Sequence, residues 1–308
     1  MPNVFNPIWV DKLQAGLQTL YDKMSLTRWM EGNAKSIKYH GGRTVSMTEM
    51  SVDGMGDYNR SLGYPRGAIT GQRIQYLMAQ DRGREFVIDV ADQDETGFLV
   101  TAASVLAEFQ NNHVVPEVDA YRISQVYSLL LAQAPQNVSA ANISMGSITD
   151  ILLDDLAAME DANTSGGPLV ILMSSVTQSL FGRDFTRSLD YSDFGGRFKS
   201  KVVSVDGNPL SIMPSRRLQT SYLFLDGTTP GEEAGGIAAD PAAEEIKWMI
   251  IPMNAPIAVK KIDKVRVFTP DEFQDMHAWK IDYRLFHDVW LPNVMAQQAF
   301  CRTGAFVV

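Results

Sequence analysis

Apolar and polar residues alternate most clearly between residues 279 and 289. Five apolar side chains recur there among charged ones: Trp279, Ile281, Tyr283, Leu285 and Val289. A two-residue period places every second side chain on one face, so we predict a half-buried strand. His287 falls on its apolar face, where we expect a packing histidine with satisfied hydrogen bonds and no ligand role.

Helical spacing of apolar residues marks an amino-terminal arm, residues 1–35. The stripe consists of Val10, Leu13, Leu17, Leu20 and Met24. We predict an amphipathic helix that buries this stripe, either on its own body or on another subunit.

A second helical stripe begins at residue 98: Phe98, Ala102, Val105 and Phe109. Asp94 or Thr96 is a suitable cap for it. Pro116 interrupts the pattern and is predicted to open a second helix, which Pro135 ends. The pattern therefore predicts one long helical element with a single break.

Two β-prone runs, residues 44–52 and 72–78, flank a stretch of turn-forming residues. The glycines and proline of residues 54–67 exclude a helix, and nothing there suits a core. A second turn at 81–83 is predicted to lead into a strand at 86–88. The result is a long two-stranded flap with a wide tip. Because an isolated ribbon is marginally stable in water, the flap needs a partner surface.

Shorter elements alternate after residue 147. The predicted series is a helix over 149–161, a buried strand over 169–173 and a serine-capped short helix to Phe181. A hairpin is predicted across Asp206-Gly207, a dipeptide typical of tight turns. Residues 226–245 are rich in Gly, Pro, Ala and Glu and are predicted to form a mobile surface loop.

Charge is divided unevenly along the 308-residue chain, whose net charge is −9. Residues 28–84 contain nine Lys/Arg and five Asp/Glu, a balance of +4, which leaves −13 for the rest. The overall charge argues against recognition of nucleic acid through a basic face. A basic segment on an acidic body suits three roles: DNA binding, contact with the acidic body of a neighbouring copy, or a solvated loop of mixed charge.

Other features exclude broad classes of protein. A single cysteine, Cys301, excludes an internal disulfide framework, fits a reducing cytoplasm and is expected to be a buried small residue. The sequence shows no apolar run of the roughly 18 residues that a membrane span requires, and no secretory signal. We therefore expect no membrane association.

Three carboxylates, Asp92, Asp94 and Glu95, precede the predicted long helix. They suit a metal ion or acid–base catalysis, but a helix amino end attracts acidic residues without any such role, and we favour that structural interpretation. The histidines lack ligand spacing, and there is no nucleophile elbow, phosphate loop or dinucleotide fingerprint. We expect no catalytic, metal or cofactor-binding residue, and a protein that is not an enzyme.

The order of these elements, together with several short stretches, resembles the major capsid proteins of tailed bacteriophages. The stretches are Gly56 to Arg60 (GDYNR), Phe86 to Glu95 (FVIDVADQDE), Glu108-Phe109 followed by Val115 to Arg122 (VPEVDAYR), Lys264 to Pro270 (KVRVFTP) and Trp279 to Trp290 (WKIDYRLFHDVW). The resemblance spans nearly the whole chain. The order of these stretches along the chain is more specific to that family than any single stretch.

The resemblance implies an α+β architecture, the Hong Kong 97 phage capsid fold. Its parts would be an N-arm (1–35), an extended β-hairpin E-loop (36–80), a P-domain with the long spine helix (81–145), an A-domain (146–268) and the terminal strands of the P-domain (269–308).

The resemblance also implies function through assembly. Copies would form hexamers and pentamers in an icosahedral shell that encloses DNA without sequence-specific binding. The flap would lie across a neighbouring subunit and contact it through six residues: Arg43, Asp57, Tyr58, Arg60, Arg66 and Arg73. The protein would be located in the virion capsid, after assembly in the host cytoplasm.

Further partners follow from the same resemblance. We expect a separate scaffolding protein, because the flap begins near residue 36 and the numbering starts at Met1. A portal and a cement protein are further expected partners. Some relatives join a flap lysine to a neighbour's asparagine, but residues 44–80 contain no lysine, so we expect no covalent cross-links.

Two alternatives stay open at this stage. The first is an encapsulin-type nanocompartment shell protein, which has the same fold and which the sequence discriminates poorly. The second is a metal-dependent enzyme that uses Asp92, Asp94 and Glu95.

Overall fold

The computed structural model describes residues 7–39, 42–61, 63–90, 102–144, 146–163, 167–188 and 204–307. Within them the α-helices are α1 (Pro7–Met24), α2 (Ala102–Phe109), α3 (Val115–Gln133), α4 (Ile148–Ala162), α5 (Ser175–Ser188) and α6 (Asn293–Ala296). A π-helical segment spans Gln110–Val114, and 3-10 turns span Arg28–Ser36, Pro135–Asn137 and Ser215–Arg217. No helix in these ranges is long and apolar enough to cross a membrane.

The strands of the first half are β1 (Lys38–Tyr39), β2 (Thr44–Val52), β3 (Ile69–Leu77), β4 (Gln80–Asp89), β5 (Val138–Ser139), β6 (Ile143–Ser144) and β7 (Leu169–Ser174). Those of the second half are β8 (Ser204–Val205), β9 (Asn208–Met213), β10 (Tyr222–Leu225), β11 (Gly236–Ala239), β12 (Trp248–Pro252), β13 (Ile257–Phe268), β14 (Ala278–Trp290), β15 (Phe300–Arg302) and β16 (Phe306–Val307). The mixture of helices and strands confirms the α+β class.

The arm forms the predicted amphipathic helix, α1. Leu17 and Tyr21 are buried in a cluster with the π-helical segment and strands β13 and β14. The arm therefore covers its stripe on its own body, one of the two possibilities that the spacing allows.

The flap, residues 44–77, is the predicted two-stranded ribbon. Strands β2 and β3 pair antiparallel from Thr44 opposite Leu77 to Val52 opposite Ile69, and short β1 extends the base. The base is part of the core, because Val45, Met47 and Met78 are buried against β13 and β14. The ribbon leaves the body beyond that point.

The turn predicted at 81–83 is wrong. Strand β4 runs straight through these residues and pairs with β14 over its whole length. Gly83 lies opposite Arg284, where an added Cβ would sit 2.7 Å from the Tyr283 carbonyl oxygen. The glycine permits close approach of two strands and does not mark a turn.

The predicted carboxy-terminal strand is β14, the centre of a three-stranded sheet in the order β13-β14-β4. Its residues alternate between buried and more exposed from Ile281 to Leu285, and all of residues 285–290 are buried. A bulge between Lys260 and Ile262 bends β13 at the level of His287.

The long helical element is continuous from Ala102 to Gln133, and its break is the π-helical segment. Pro116 has no backbone N–H and its ring clashes with the carbonyl four residues earlier, so the preceding turn widens. Val115 correspondingly donates its N–H to the carbonyl of Gln110, five residues back. The predicted start at Phe98 and caps Asp94 and Thr96 lie outside the described residues.

The body sheet has six strands in the order β5-β15-β12-β7-β9-β8. Strand β7 is buried throughout because both faces of the sheet are covered. Val170 and Leu172 belong to a cluster with α3, whereas Ile171 and Met173 belong to one with α4 and α5. Helices therefore enclose the sheet from both sides.

Most elements predicted for this region are present. Helix α4, strand β7 and the hairpin between β8 and β9 match, with positive φ at Asp206 and Gly207. Helix α5 is present, but it continues to Ser188, beyond the predicted end at Phe181. The prediction that residues 226–245 form a mobile loop is wrong, because they contain β11, which pairs with β10. Asp226 orders the intervening turn by accepting hydrogen bonds from the backbone of Thr228 and Thr229.

Candidate functional site

The flap exposes an unusual amount of apolar surface. Sixteen large apolar residues in the described part of the chain are exposed, and seven of them lie between residues 50 and 77. These seven are Met50, Val52, Met55, Tyr58, Tyr64, Ile69 and Leu77. Exposed apolar side chains concentrated in one segment mark an interaction surface.

The tip of the flap, residues 53–68, has a defined shape. Asp53 and Ala68 close its neck, since each accepts a hydrogen bond from the other's backbone N–H. Asn59 and Gly63 form an outer bridge, with Gly63 at φ +82°. The rings of Tyr58 and Tyr64 pack 4.9 Å apart, and Tyr64 is 85% exposed.

Four of the six predicted contact residues lie together at this tip. Asp57, Tyr58, Arg60 and Arg66 are all exposed. In the part of the chain that the structure describes, neither Arg60 nor Arg66 forms an ion pair within 4.0 Å.

The other two predicted contact residues lie nearer the body. Arg73 on β3 donates from Nε to the Ser46 hydroxyl across the ribbon, at 3.1 Å. Arg43 is exposed at the base, where its carbonyl accepts the Met78 N–H. The six residues therefore follow the length of the flap and do not form one cluster.

Strand β14 fixes the direction in which the flap leaves the body. The buried carboxylate of Asp288 accepts hydrogen bonds from the Ala79 N–H and the Tyr121 hydroxyl, both at 2.7 Å. Burial raises the pKa of Asp288, although these hydrogen bonds oppose the shift. The rings of Tyr76 and Trp290 stack with their centroids 5.3 Å apart, in the cluster that buries Val45 and Met47 at the base of the flap.

A buried ionic network joins the arm to the long helix. Arg122, fully buried, donates to Glu31 at 2.7 Å, and Lys260 lies 3.3 Å from the same carboxylate. Burial alone would raise the pKa of Glu31, but the two cations outweigh it and hold that pKa below its usual value.

Asp119, one turn earlier on α3, caps the chain where it leaves α1. Its carboxylate accepts hydrogen bonds from the Ser25 and Thr27 hydroxyls and from the Leu26 N–H. The burial of Asp119 and Arg122 could not be predicted from the sequence, since their partners lie more than 90 residues away.

A cavity of about 450 Å3 opens between the three-stranded sheet, the long helix and the β10–β11 hairpin. Aromatic side chains line it: Phe86, Phe109 and Tyr283. His287 also lines it and is buried, and its Nδ1 has no hydrogen-bond partner. The expectation of a packing histidine is met, because its ring packs edge-on against Tyr121, but the expectation of satisfied hydrogen bonds is not.

Arginines on β4 anchor the hairpin over this cavity. Arg82 pairs with Glu117 at 2.6 Å and donates to the Gly236 carbonyl at 2.9 Å. Arg84 donates to the Glu233 carbonyl at 2.9 Å. The charge of Arg82 is therefore largely matched within the chain.

The carboxylates considered for metal chemistry, Asp92, Asp94 and Glu95, lie outside the described residues. Within the described residues, no group of three side chains could hold a metal ion. Cys301 is free and fully buried, and burial raises the pKa of its thiol.

No protein-family model matches the chain. No curated protein matches it either. Solved structures do match along most of its length.

The mature capsid of bacteriophage PhiM1 matches with a TM-score of 0.59 and 14% identity, over 85% of this chain and 82% of the other. The capsid of cyanophage P-SCSP1u matches with a TM-score of 0.58 and 12% identity, over 88% and 86%. A virus-like particle from Pyrococcus furiosus matches with a TM-score of 0.50 and 9% identity, over 96% and 99%. The chain therefore has the fold of tailed-phage major capsid proteins, the Hong Kong 97 fold.

Proposed function

We propose that the chain is the major capsid protein of a tailed bacteriophage, a structural subunit of the icosahedral head that encloses phage DNA. Two of the matching structures are phage capsids, and each match covers more than four fifths of both chains. Support for a structural role also comes from the sequence, which contains none of the catalytic motifs that were sought.

The flap is the observation that carries this proposal. Beyond Met47 it exposes six large apolar side chains out to Ile69 and two arginines without ion pairs among the described residues. A ribbon of this kind is marginal by itself and is stabilised when a partner covers it. Identical copies supply that partner at high local concentration in a shell.

The contact would be heterologous, since the flap of one copy meets the body of the next. A heterologous contact that closes on itself produces rings, which suits hexamers and pentamers. The six flap residues proposed above, from Arg43 to Arg73, would lie in this contact. An acidic body around the DNA would also limit adhesion to phosphates, so enclosure needs no sequence-specific binding.

Three further partners belong to the proposal: a separate scaffolding protein, a portal and a cement protein. Location in the virion, after assembly in the host cytoplasm, belongs to it as well. Expression of the chain alone should then give aberrant or mixed particles, and co-expression with its scaffolding protein should give uniform ones. Uniform full-size shells from the chain alone would remove the scaffolding protein from the proposal.

The second candidate is an encapsulin-type nanocompartment shell. The match to the Pyrococcus furiosus virus-like particle, over 96% of this chain, favours it. Electron microscopy of particles from the native source separates the two candidates. Heads that contain DNA and carry tails support the capsid, whereas small tail-less shells support the nanocompartment.

Sedimentation tests the shared part of both candidates. Purified native protein should sediment as megadalton particles that consist mainly of this chain. Protein recovered only as monomers or small oligomers would contradict any shell function.

A further inference from the structure

Asp226 and residues 234–236 line the cavity and belong to a strongly acidic segment. Residues 226–245 contain six carboxylates and no lysine or arginine: Asp226, Glu232, Glu233, Asp240, Glu244 and Glu245. Hydrogen bonds from backbone N–H groups hold the pKa values of Asp226, Glu233 and Asp240 below their usual range, so these groups stay ionised. Two arginines also line the cavity: Arg82 is paired with Glu117, and Arg84 donates to the Glu233 carbonyl.

The interior of the cavity is suited to an aromatic side chain. Phe86, Phe109 and Tyr283 supply faces and edges for ring contacts. His287 also contributes its ring to the lining.

The flap tip carries the complementary groups. Residues 58–73 contain three arginines and no carboxylate. Tyr64 is 85% exposed and stands between Arg60 and Arg66 in the sequence. An aromatic anchor with flanking arginines is the usual composition of an interface hot spot.

We propose that Tyr64 of one copy inserts into this cavity on a neighbouring copy, with Arg60 and Arg66 against the acidic segment 226–245. This inference rests on the proposed shell function and assigns the flap its landing site. The occupant is a second copy of the chain, because one segment of the same sequence supplies both the exposed aromatic ring and the positive charges.

Disulfide trapping tests the placement directly. Ala234 is exposed and lines the cavity, so Tyr64→Cys combined with Ala234→Cys should give covalent multimers when assembled particles are oxidised. Cys301 is fully buried and contributes little background. The matched control combines Tyr64→Cys with Met276→Cys, an exposed residue outside the cavity, and should stay monomeric on a denaturing gel.

Shells that form normally but show no disulfide with Ala234→Cys would overturn the landing site and leave the shell function intact. Disulfides in the Met276→Cys control as well would also overturn it. Absence of any particle from wild-type protein would instead contradict the shell function. If the double variant fails to assemble, hydrogen exchange on wild-type protein decides. Amides of residues 232–236 should exchange at least about tenfold more slowly in particles than in dissociated subunits, and equal rates would overturn the inference.

Substitution of Tyr64 tests filling by the ring. Tyr64→Phe keeps the ring and should assemble at the wild-type concentration threshold, whereas the affinity of Tyr64→Ala should fall by about tenfold or more. Assembly of Tyr64→Ala at the wild-type concentration threshold would contradict the insertion. A small molecule found in the cavity of wild-type particles would also contradict the insertion of Tyr64.

Discussion

At the scale of single residues, the close approach of two backbone segments requires glycine at certain positions. Gly304 packs against residues 140–141, and an added Cβ would overlap the carbonyl oxygen of Ala141. Neither segment is free to move, since β15 and β16 lie on either side and pair with β5 and β6. The carboxy-terminal strands therefore depend on the absence of a side chain at this position.

Gly304→Ala is expected to destabilise the unassembled subunit by about 3 kcal/mol, because rigid backbone must shift. The control is Gly16→Ala in the middle of α1, where nothing lies within 4 Å of the added Cβ. That change should raise stability by about 0.5–1 kcal/mol. Denaturant unfolding measures both, and equal effects would contradict the interpretation.

The Glu31 carboxylate predicts a pH dependence of stability. Its pKa is lower in the folded protein than in the unfolded chain. Its contribution is therefore present above the unfolded pKa, about 4.3, and is lost as pH falls through the folded pKa. Wild-type protein should lose more stability than Glu31→Gln on acidification below pH of about 4.5.

Near neutral pH the same variant should be less stable by about 3 kcal/mol, because Arg122 remains buried without a charged partner. Asp154→Asn on the exposed side of α4 serves as the control and should change stability little. Parallel acid-unfolding curves for Glu31→Gln and wild type would show that the network does not act as described.

At the scale of elements, the flap divides into a packed base and an exposed outer part. Thr48 lies opposite Arg73, just beyond the buried Met47. Replacing residues 49–72 with Asn-Gly keeps the register and the core of the base, because that dipeptide forms a two-residue hairpin turn. The shortened subunit should unfold cooperatively within about 1 kcal/mol of wild type and should form no closed shells.

Met47→Ala provides the opposite control for the shortened flap. It should lower stability by about 2–5 kcal/mol because it leaves a cavity at the base. Its outer flap remains intact, so subunits that stay folded should still assemble. Normal shells from the shortened protein would refute a role for the outer flap.

Elements with a regular spacing of apolar residues were predictable from the sequence. Elements that depend on pairing partners far away in the chain were not. The stripe from Val10 to Met24 and the alternation after Trp279 each report one buried face, and both elements are present. Residues 81–83 predicted a turn because turn propensity depends only on the local sequence. Gly83 instead pairs with Arg284, about 200 residues away in the chain. Strand β11 was missed because its Gly-Ile-Ala-Ala sequence has little strand propensity.

The exposure of the flap-tip residues was predictable, because loop composition and charge can be seen in the local sequence. The cavity was not. Its walls come from β4, the long helix, the β10–β11 hairpin and β14, and only the fold brings these segments together. The same reason hides the buried pair of Arg122 and Glu31, which are 91 residues apart.

At the scale of the whole molecule, the arm helix packs on its own body, so the proposed contacts between subunits are assigned to the flap. The flap offers no amine for covalent joining, since residues 44–80 contain no lysine. Arginine does not substitute, because its guanidinium stays protonated. Apolar burial at about 25 cal/mol per Å2 should outweigh exposed ion pairs, which contribute about 1 kcal/mol or less each.

Mature particles boiled in detergent should therefore run as a single band near 34 kDa. Salt should weaken them only partly, because screening acts on the ion pairs and not on apolar burial. A ladder of covalent multimers from wild-type particles under reducing conditions would overturn this prediction.

The position of β15 in the body sheet has a consequence for synthesis on the ribosome. Strand β15 lies between β5 and β12, so Val138 pairs with Cys301, which is translated more than 160 residues later. At roughly 5–20 residues per second, β5 waits on the order of ten seconds for its neighbour. The flap, by contrast, emerges early in translation. A nascent chain thus exposes its apolar flap before its body is complete. Under the proposed shell function, two chains made on one messenger RNA can therefore assemble as finished subunits only after the β15 segment of each has left the ribosome.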